Sequence, residues 1–112
     1  MKQWTRQLGA AATTQAGGIA ADSSDNAYVA GYTDGNLDGN VLVGVEDLFL
    51  TKYNSAGTKQ WTQTLGIAGQ NTYAEAVALN PAGDAYVGGW TNGGLDGNAL
   101  TGTNDLFVTK YS

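Results

Sequence analysis

The sequence predicts an all-β chain made of two copies of one four-stranded antiparallel sheet, and three observations predict it. The first is an internal repeat running through all 112 residues. "KQWTRQLG" at 2–9 returns as "KQWTQTLG" at 59–66, "AYVAGYT" at 27–33 as "AYVGGWT" at 85–91, and "LDGNVLVGVEDLFLTKY" at 37–53 as "LDGNALTGTNDLFVTKY" at 95–111. The period is about 57 residues, lengthening by one after the loop that follows Leu65, and about half of the aligned positions are identical. The second is that each copy holds four short runs rich in Val, Thr, Tyr, Phe and Trp, divided by clusters of Gly, Asn, Asp and Ser. The third is the lack of apolar residues recurring every three or four positions, the mark of a helical pair.

Taken in order, the first copy (2–58) predicts strands near 2–8, 17–22, 26–33 and 46–53, and the second (59–112) near 59–65, 74–79, 84–91 and 104–111, all in one domain spanning 1–112. "DSSDN" and "NPAGD" join the second and third strands of each copy, and "NSAGT" joins the copies; all three hold residues suited to tight turns. The joints "GAAATTQ", "GIAGQNTY" and the stretch around "DGNLDGN" are longer.

A four-stranded unit repeated at this length predicts β-propeller blades. The presumed inner strands, "GGIAAD" and "NAYVAGYT", are rich in Gly and Ala, which suits the crowded centre of a disc. Trp4, Trp61, Phe49 and Phe107 lie on the other strands, where blades diverge and large rings fill the gap. The motifs "W…LG", "YV.G.T" and "D.F.TKY", present twice over essentially the whole chain, resemble the bacterial and archaeal propeller repeat family called SBBP, whose propellers are seven-bladed. The resemblance implies a propeller blade of the kind found in exported or cell-surface proteins, and it carries over no catalytic residue. Length departs from that pattern, because two repeats do not make a full propeller.

Two blades alone leave apolar outer sheet faces bare, and ring closure by identical copies is the expected remedy. Three copies make a homotrimer of six blades and four a homotetramer of eight. Strand 59–65 completes the sheet of 17–53, the sheet of 74–111 lacks an outer strand, and residues 2–8 of a neighbour can supply it as a latch along 104–111. Copies that start and stop almost in register with the repeat are also the pattern of a cut-out or engineered fragment.

Composition excludes several function classes. With no Cys and no His, the chain has no disulfide, no thiolate nucleophile, no thiolate or imidazole zinc ligand and no histidine-dependent triad. Five Lys and Arg against ten Asp and Glu, with the cations scattered, argue against a nucleic-acid or anionic-membrane partner. The first residues lack the apolar core of a secretory signal, and no stretch approaches the length of a membrane span.

The side chains with chemistry lie in the long loops. Asp34, Asn36 and Asp38, with Gly39 behind, follow the spacing that opens calcium loops. The second copy breaks it, with Asn92 and Gly94 in place of Asp34 and Asn36, and the twelfth position is Val45 rather than Glu. The expectation is therefore a structural turn, anchored by Leu37 and Leu95, and no metal. Asp47 and Asp105 are expected to fasten the loops by accepting backbone hydrogen bonds. Glu46, Asp96 and Asn98 join Asp34, Asn36, Asp38, Asp47 and Asp105 on the long-loop face. Lys52–Tyr53 and Lys110–Tyr111 read as solvated strand ends.

The functional expectation is a non-catalytic interaction scaffold. The alternative is a calcium-assisted adhesion or carbohydrate-binding module that uses the acidic face with Tyr32, Tyr73 or Trp90. An enzyme is disfavoured: the carboxylate pair a glycosidase needs could be sought in Glu46 and Asp47, but Glu46 becomes Asn104 in the second copy, and no phosphate-binding or cofactor fingerprint is present.

Overall fold

A computed structural model of the chain describes residues 1–112. It contains seven strands: β1 (Thr14–Ala21), β2 (Ala27–Thr33), β3 (Asp47–Tyr53), β4 (Lys59–Leu65), β5 (Thr72–Leu79), β6 (Ala85–Thr91) and β7 (Asp105–Tyr111), plus one 3-10 turn at Leu95–Gly97. They form two antiparallel sheets, a four-stranded one ordered β1-β2-β3-β4 and a three-stranded one ordered β5-β6-β7. The all-β prediction holds, and so does the assignment of 59–65 to the first sheet.

The predicted strand at 2–8 does not form; residues 1–13 have no regular structure. A strand needs a ladder partner, and β4 already holds the outer edge of the first sheet. Residues 1–12 make no backbone–backbone hydrogen bond, although Asp34 N–H donates to the Thr13 carbonyl. The segment is held instead by side chains. Trp4 Nε1 donates to Ser55 O at 3.0 Å and Arg6 Nε to Gly57 O at 2.7 Å, with the Trp4 ring 6.4 Å from that of Tyr53.

Strands β1 and β5 begin earlier than predicted, at Thr14 and Thr72, because paired threonines extend the ladder. Thr14 and Thr33 share a hydroxyl hydrogen bond of 3.0 Å, and Thr72 and Thr91 one of 3.2 Å. The tight turns follow their residues. Asp22 accepts from Ser24 N and Asn26 N, Asn54 from Ala56 N and Thr58 N, and Asn80 from Asp84 N. The fourth residue of each turn is left-handed, as Asp25, Gly57 and Gly83.

The core lies between the sheets. Tyr28, Ala30, Leu48 and Leu50 of the first blade meet Ala74, Ala85 and Val87 of the second, with Trp61, Leu65 and Phe107 at the margin. The inner strands approach so closely that a Cβ on Gly17 would stand 2.5 Å from Ala74 O, and one on Gly18 2.9 Å from Ala76 Cα. Small inner residues thus serve the wedge between blades as the sequence predicts. Of the four large rings expected in it, only Trp61 and Phe107 pack there, while Phe49 and Trp4 lie outside that core because they face the other side of the first sheet.

Candidate functional site

The long loop of the first copy is built from its own acids. Asp34 Oδ1 accepts from Thr13 N at 2.5 Å, Asn36 Oδ1 from Leu42 N at 2.8 Å, and Asp38 Oδ1 from Lys59 Nζ at 2.5 Å. Three side chains with calcium-loop spacing are therefore bound to three separate partners. The Lys59 ammonium hydrogen bond, with one from Thr62, holds the Asp38 carboxyl below its ordinary value. Asp38 and its counterpart Asp96 are both left-handed, and Leu37 and Leu95 beside them are buried. This is loop anchoring, as predicted from "LDGN".

Asp47 and Asp105 fasten the loops in the same way. Asp47 accepts from Val43 N and Gly44 N, both at 2.8 Å; Asp105 accepts from Thr101 N at 2.7 Å and Gly102 N at 2.9 Å. Those two N–H groups lower the Asp105 pKa by favouring its charged form. Asp47 is fully buried, and its carboxylate lies over Gly66, filling the space that a Cβ on that glycine would occupy.

The structure brings together three aromatics that the sequence could only name singly. The Tyr73 ring centroid lies 4.4 Å from Tyr32 and 4.4 Å from Trp90, edge-on to the first and tilted to the second. The Tyr73 hydroxyl donates to Glu46 Oε1. Burial first, and then the charge of Asp34, raise the Glu46 pKa. Glu46 also bridges the blades through its backbone, which accepts from Thr72 N at 3.0 Å. Glu46 and Asp47 are thus committed to different structural partners, Tyr73 and the loop amides. Lys52 and Lys110 fold back, each ammonium 5.4 Å from the ring of Tyr28 or Tyr86.

The second sheet also leaves an apolar face bare. Leu106, Val108 and Tyr86 are 83%, 69% and 38% exposed, whereas their first-copy counterparts Leu48, Leu50 and Tyr28 are 0%, 0% and 3% exposed. Beside that face, the outer edge of β7 carries an open row of backbone donors and acceptors, since no fourth strand pairs with it. A cleft of about 290 Å³ opens beside β7, walled by that strand, by Asp96 and Asn98 of the loop before it and by Leu65 of β4. Sequence alone could expose the missing strand, but only the fold shows which face it leaves bare.

A family model for the SBBP β-propeller repeat matches residues 3–43 and 60–96, one segment in each copy. No curated protein matches the chain.

Proposed function

The chain belongs to the SBBP β-propeller repeat family, and from that premise we propose that it is a non-catalytic propeller module that closes with copies of itself into a ring and serves as a structural and interaction scaffold. Three copies give six blades and four give eight. Residues 2–8 of each copy act as the latch strand for the three-stranded sheet of its neighbour.

The observation that carries this reading is the contrast between Leu48 and Leu50, sealed at the blade–blade contact, and Leu106 and Val108, bare at the equivalent place. Removing apolar area from water contributes about 25 cal/mol per Å², so a second blade on this face is favourable for the same reason as the first. A head-to-tail contact of this kind closes only if its rotation divides a full turn. Native mass spectrometry tests the reading directly: a trimer or tetramer at micromolar concentration supports it, and a monomer there overturns it. Deleting residues 1–8 should return the ring to smaller species by light scattering.

A second reading rests on the group of Tyr32, Tyr73 and Trp90 beside Glu46, whose half-buried rings and carboxylate are the kind of surface that takes a sugar ring. It makes the module an adhesion or carbohydrate-binding one. Binding on a glycan array, lost in Trp90→Ala, supports it; an empty array removes it. Calcium in this reading must displace Thr13, Leu42 and Lys59 from Asp34, Asn36 and Asp38, and a flat calorimetric titration with calcium removes that component.

A further inference from the structure

The contact between the two blades of one chain is a template, residue by residue, for the joint between two chains. In the template, β4 pairs with β3 in the register Leu48↔Leu65, Thr51↔Thr62 and Lys52↔Trp61. Three polar contacts fix it: Thr51 and Thr62 hydroxyls at 3.1 Å, Asn40 Nδ2 donating to Thr62 O at 3.2 Å, and Lys59 Nζ on Asp38 at 2.5 Å. The fourth fixture is the Asp47 carboxylate lying over Gly66. Every side chain in this set has a counterpart of the same kind at the two ends of the chain. Thr109, Asn98, Asp96 and Asp105 stand on the β7 side, and Lys2, Trp4, Thr5, Leu8 and Gly9 stand on the latch segment.

Two observations lift this above sequence likeness. The latch segment is already seated: Trp4 packs on Tyr53, and Leu8 lines the same hollow as Val29 and Phe49. By strand alternation Phe49 faces away from Leu48 and Leu50, so this hollow is on the side of the first blade turned from the second. Residues 2–8 therefore lie on the first blade as β4 lies on the second, with Trp61 and Tyr111 sharing one hollow as Trp4 and Tyr53 meet.

Gly9 is the second observation. A Cβ there would meet nothing within 4 Å, and its φ is not in the left-handed range, so the single chain has no need for glycine at that place. Its counterpart Gly66 is required, because the Asp47 carboxylate occupies the space a Cβ would fill. Asp105 is held in the same loop geometry by Thr101 and Gly102. The one glycine its carboxylate approaches is Gly102 of its own loop, where a Cβ would stand at an ordinary 3.4 Å, and no glycine of the chain lies under it as Gly66 lies under Asp47.

We infer that Gly9 is an assembly residue: the Asp105 carboxylate of one copy closes over the partner's Gly9 while residues 2–8 of that partner add to β7 in the register Leu106 to Leu8, Thr109 to Thr5 and Lys110 to Trp4. Asp96 then meets the partner's Lys2, as Asp38 meets Lys59 in the template. The carboxylate lock sets where the strand stops and the cation sets where it starts, so the joint rejects a one-residue slip that would turn every latch side chain to the wrong face. This rests on the ring reading above and assigns the residues that enforce it.

The experiment compares wild type, Gly9→Ala and Gly9→Val by sedimentation across a concentration series, with the thermal midpoint of each taken where the wild type is monomeric. The expected result is unchanged midpoints with half-assembly shifted at least tenfold upward in concentration for Gly9→Ala and further for Gly9→Val. A Thr5→Cys, Thr109→Cys double variant should give a covalent closed ladder on mild oxidation, and Thr5→Cys with Val108→Cys should not. A wild-type ring that tolerates both Gly9 variants, or that crosslinks equally well in the Thr5→Cys, Val108→Cys pair, overturns the lock and leaves the ring standing; a wild type that stays monomeric at all concentrations overturns both.

Discussion

The two blades differ by one strand and one neighbour, and nearly everything else follows from that difference. Leu48, Leu50 and Asp47 are fully buried in the first blade, while Leu106 and Val108, on a strand of almost the same sequence, lie open in the second. Burial is thus a property of place in the array rather than of the strand. "DLFLTKY" and "DLFVTKY" carry the same alternation, yet only one is enclosed on both faces and along both edges. Repeats of this kind contact only their neighbours, so the terminal one shows the face that its twin buries.

The largest expected effect breaks that contrast at its centre. Leu48→Ala should destabilise the chain by about 2–5 kcal/mol, since it opens a cavity at a sealed position. Leu106→Ala, measured in urea at a concentration where copies are separate, should change stability by no more than about 0.5 kcal/mol. Equal losses in the dilute chain would mean that the second face is already covered.

The loop carboxylates come next. Asp47→Asn should cost about 1–3 kcal/mol by urea titration, because the buried carboxylate serves two amides and the neutral amide cannot accept at both places without presenting a donor to one. Asp105→Asn should cost clearly less, as that loop is open to water.

A third comparison concerns the inner strands, where the copies disagree. Gly17 and Gly18 allow β1 to touch β5, but the second copy has Glu75 and Ala76 at those positions. Both Gly17 and Glu75 sit at a register shift in their ladders. In the proposed ring these larger residues would hold the joint between copies wider near the axis than the contact inside a chain, and Glu75→Gly should tighten it, lowering the concentration of half-assembly severalfold. Weaker assembly in that variant would show that Glu75 bonds the neighbouring copy rather than spacing it.

The smallest effects are in pH dependence. The lowered Asp105 pKa means that its loop bonds add stability above its ordinary value of 3.8 and lose it as pH falls through the depressed folded value. A carboxyl titration by NMR should place its midpoint under 3.8 in the wild type. Glu46 has the opposite sign. With its pKa raised by burial and by Asp34, the charged form disfavours the fold, so stability from this group grows as pH falls. Glu46→Gln should then gain no more than about 0.5 kcal/mol at neutral pH, with the gain fading in acid.

Much of this was legible in the residues because it is local. Turns at "DSSDN", "NSAGT" and "NPAGD" are written by Asp and Asn side chains accepting from backbone amides two or four residues further on, and Leu37 and Leu95 announce their loop anchors as isolated apolar residues among polar ones. The loop role of Asp47 and Asp105 was legible for the same reason. The strand expected at 2–8 was not, since "KQWTRQLG" has the same propensity as "KQWTQTLG" and differs only in having no ladder to join. Nor could the sequence reveal that Tyr32, Tyr73 and Trp90 share one hollow, because Tyr73 stands opposite Gln15 in the repeat and joins Tyr32 only across the blade contact.

By itself the amino-acid sequence determined the repeat, the sheets, the turns and the order of strands, all of which depend on neighbours within a few residues or on a pattern that recurs. The tertiary structure alone decided which of two equal strands is enclosed, which aromatics meet, and which glycine is needed for space. Those are outcomes of contact between distant segments, and two copies of one sequence cannot signal which of them will stand at the open end.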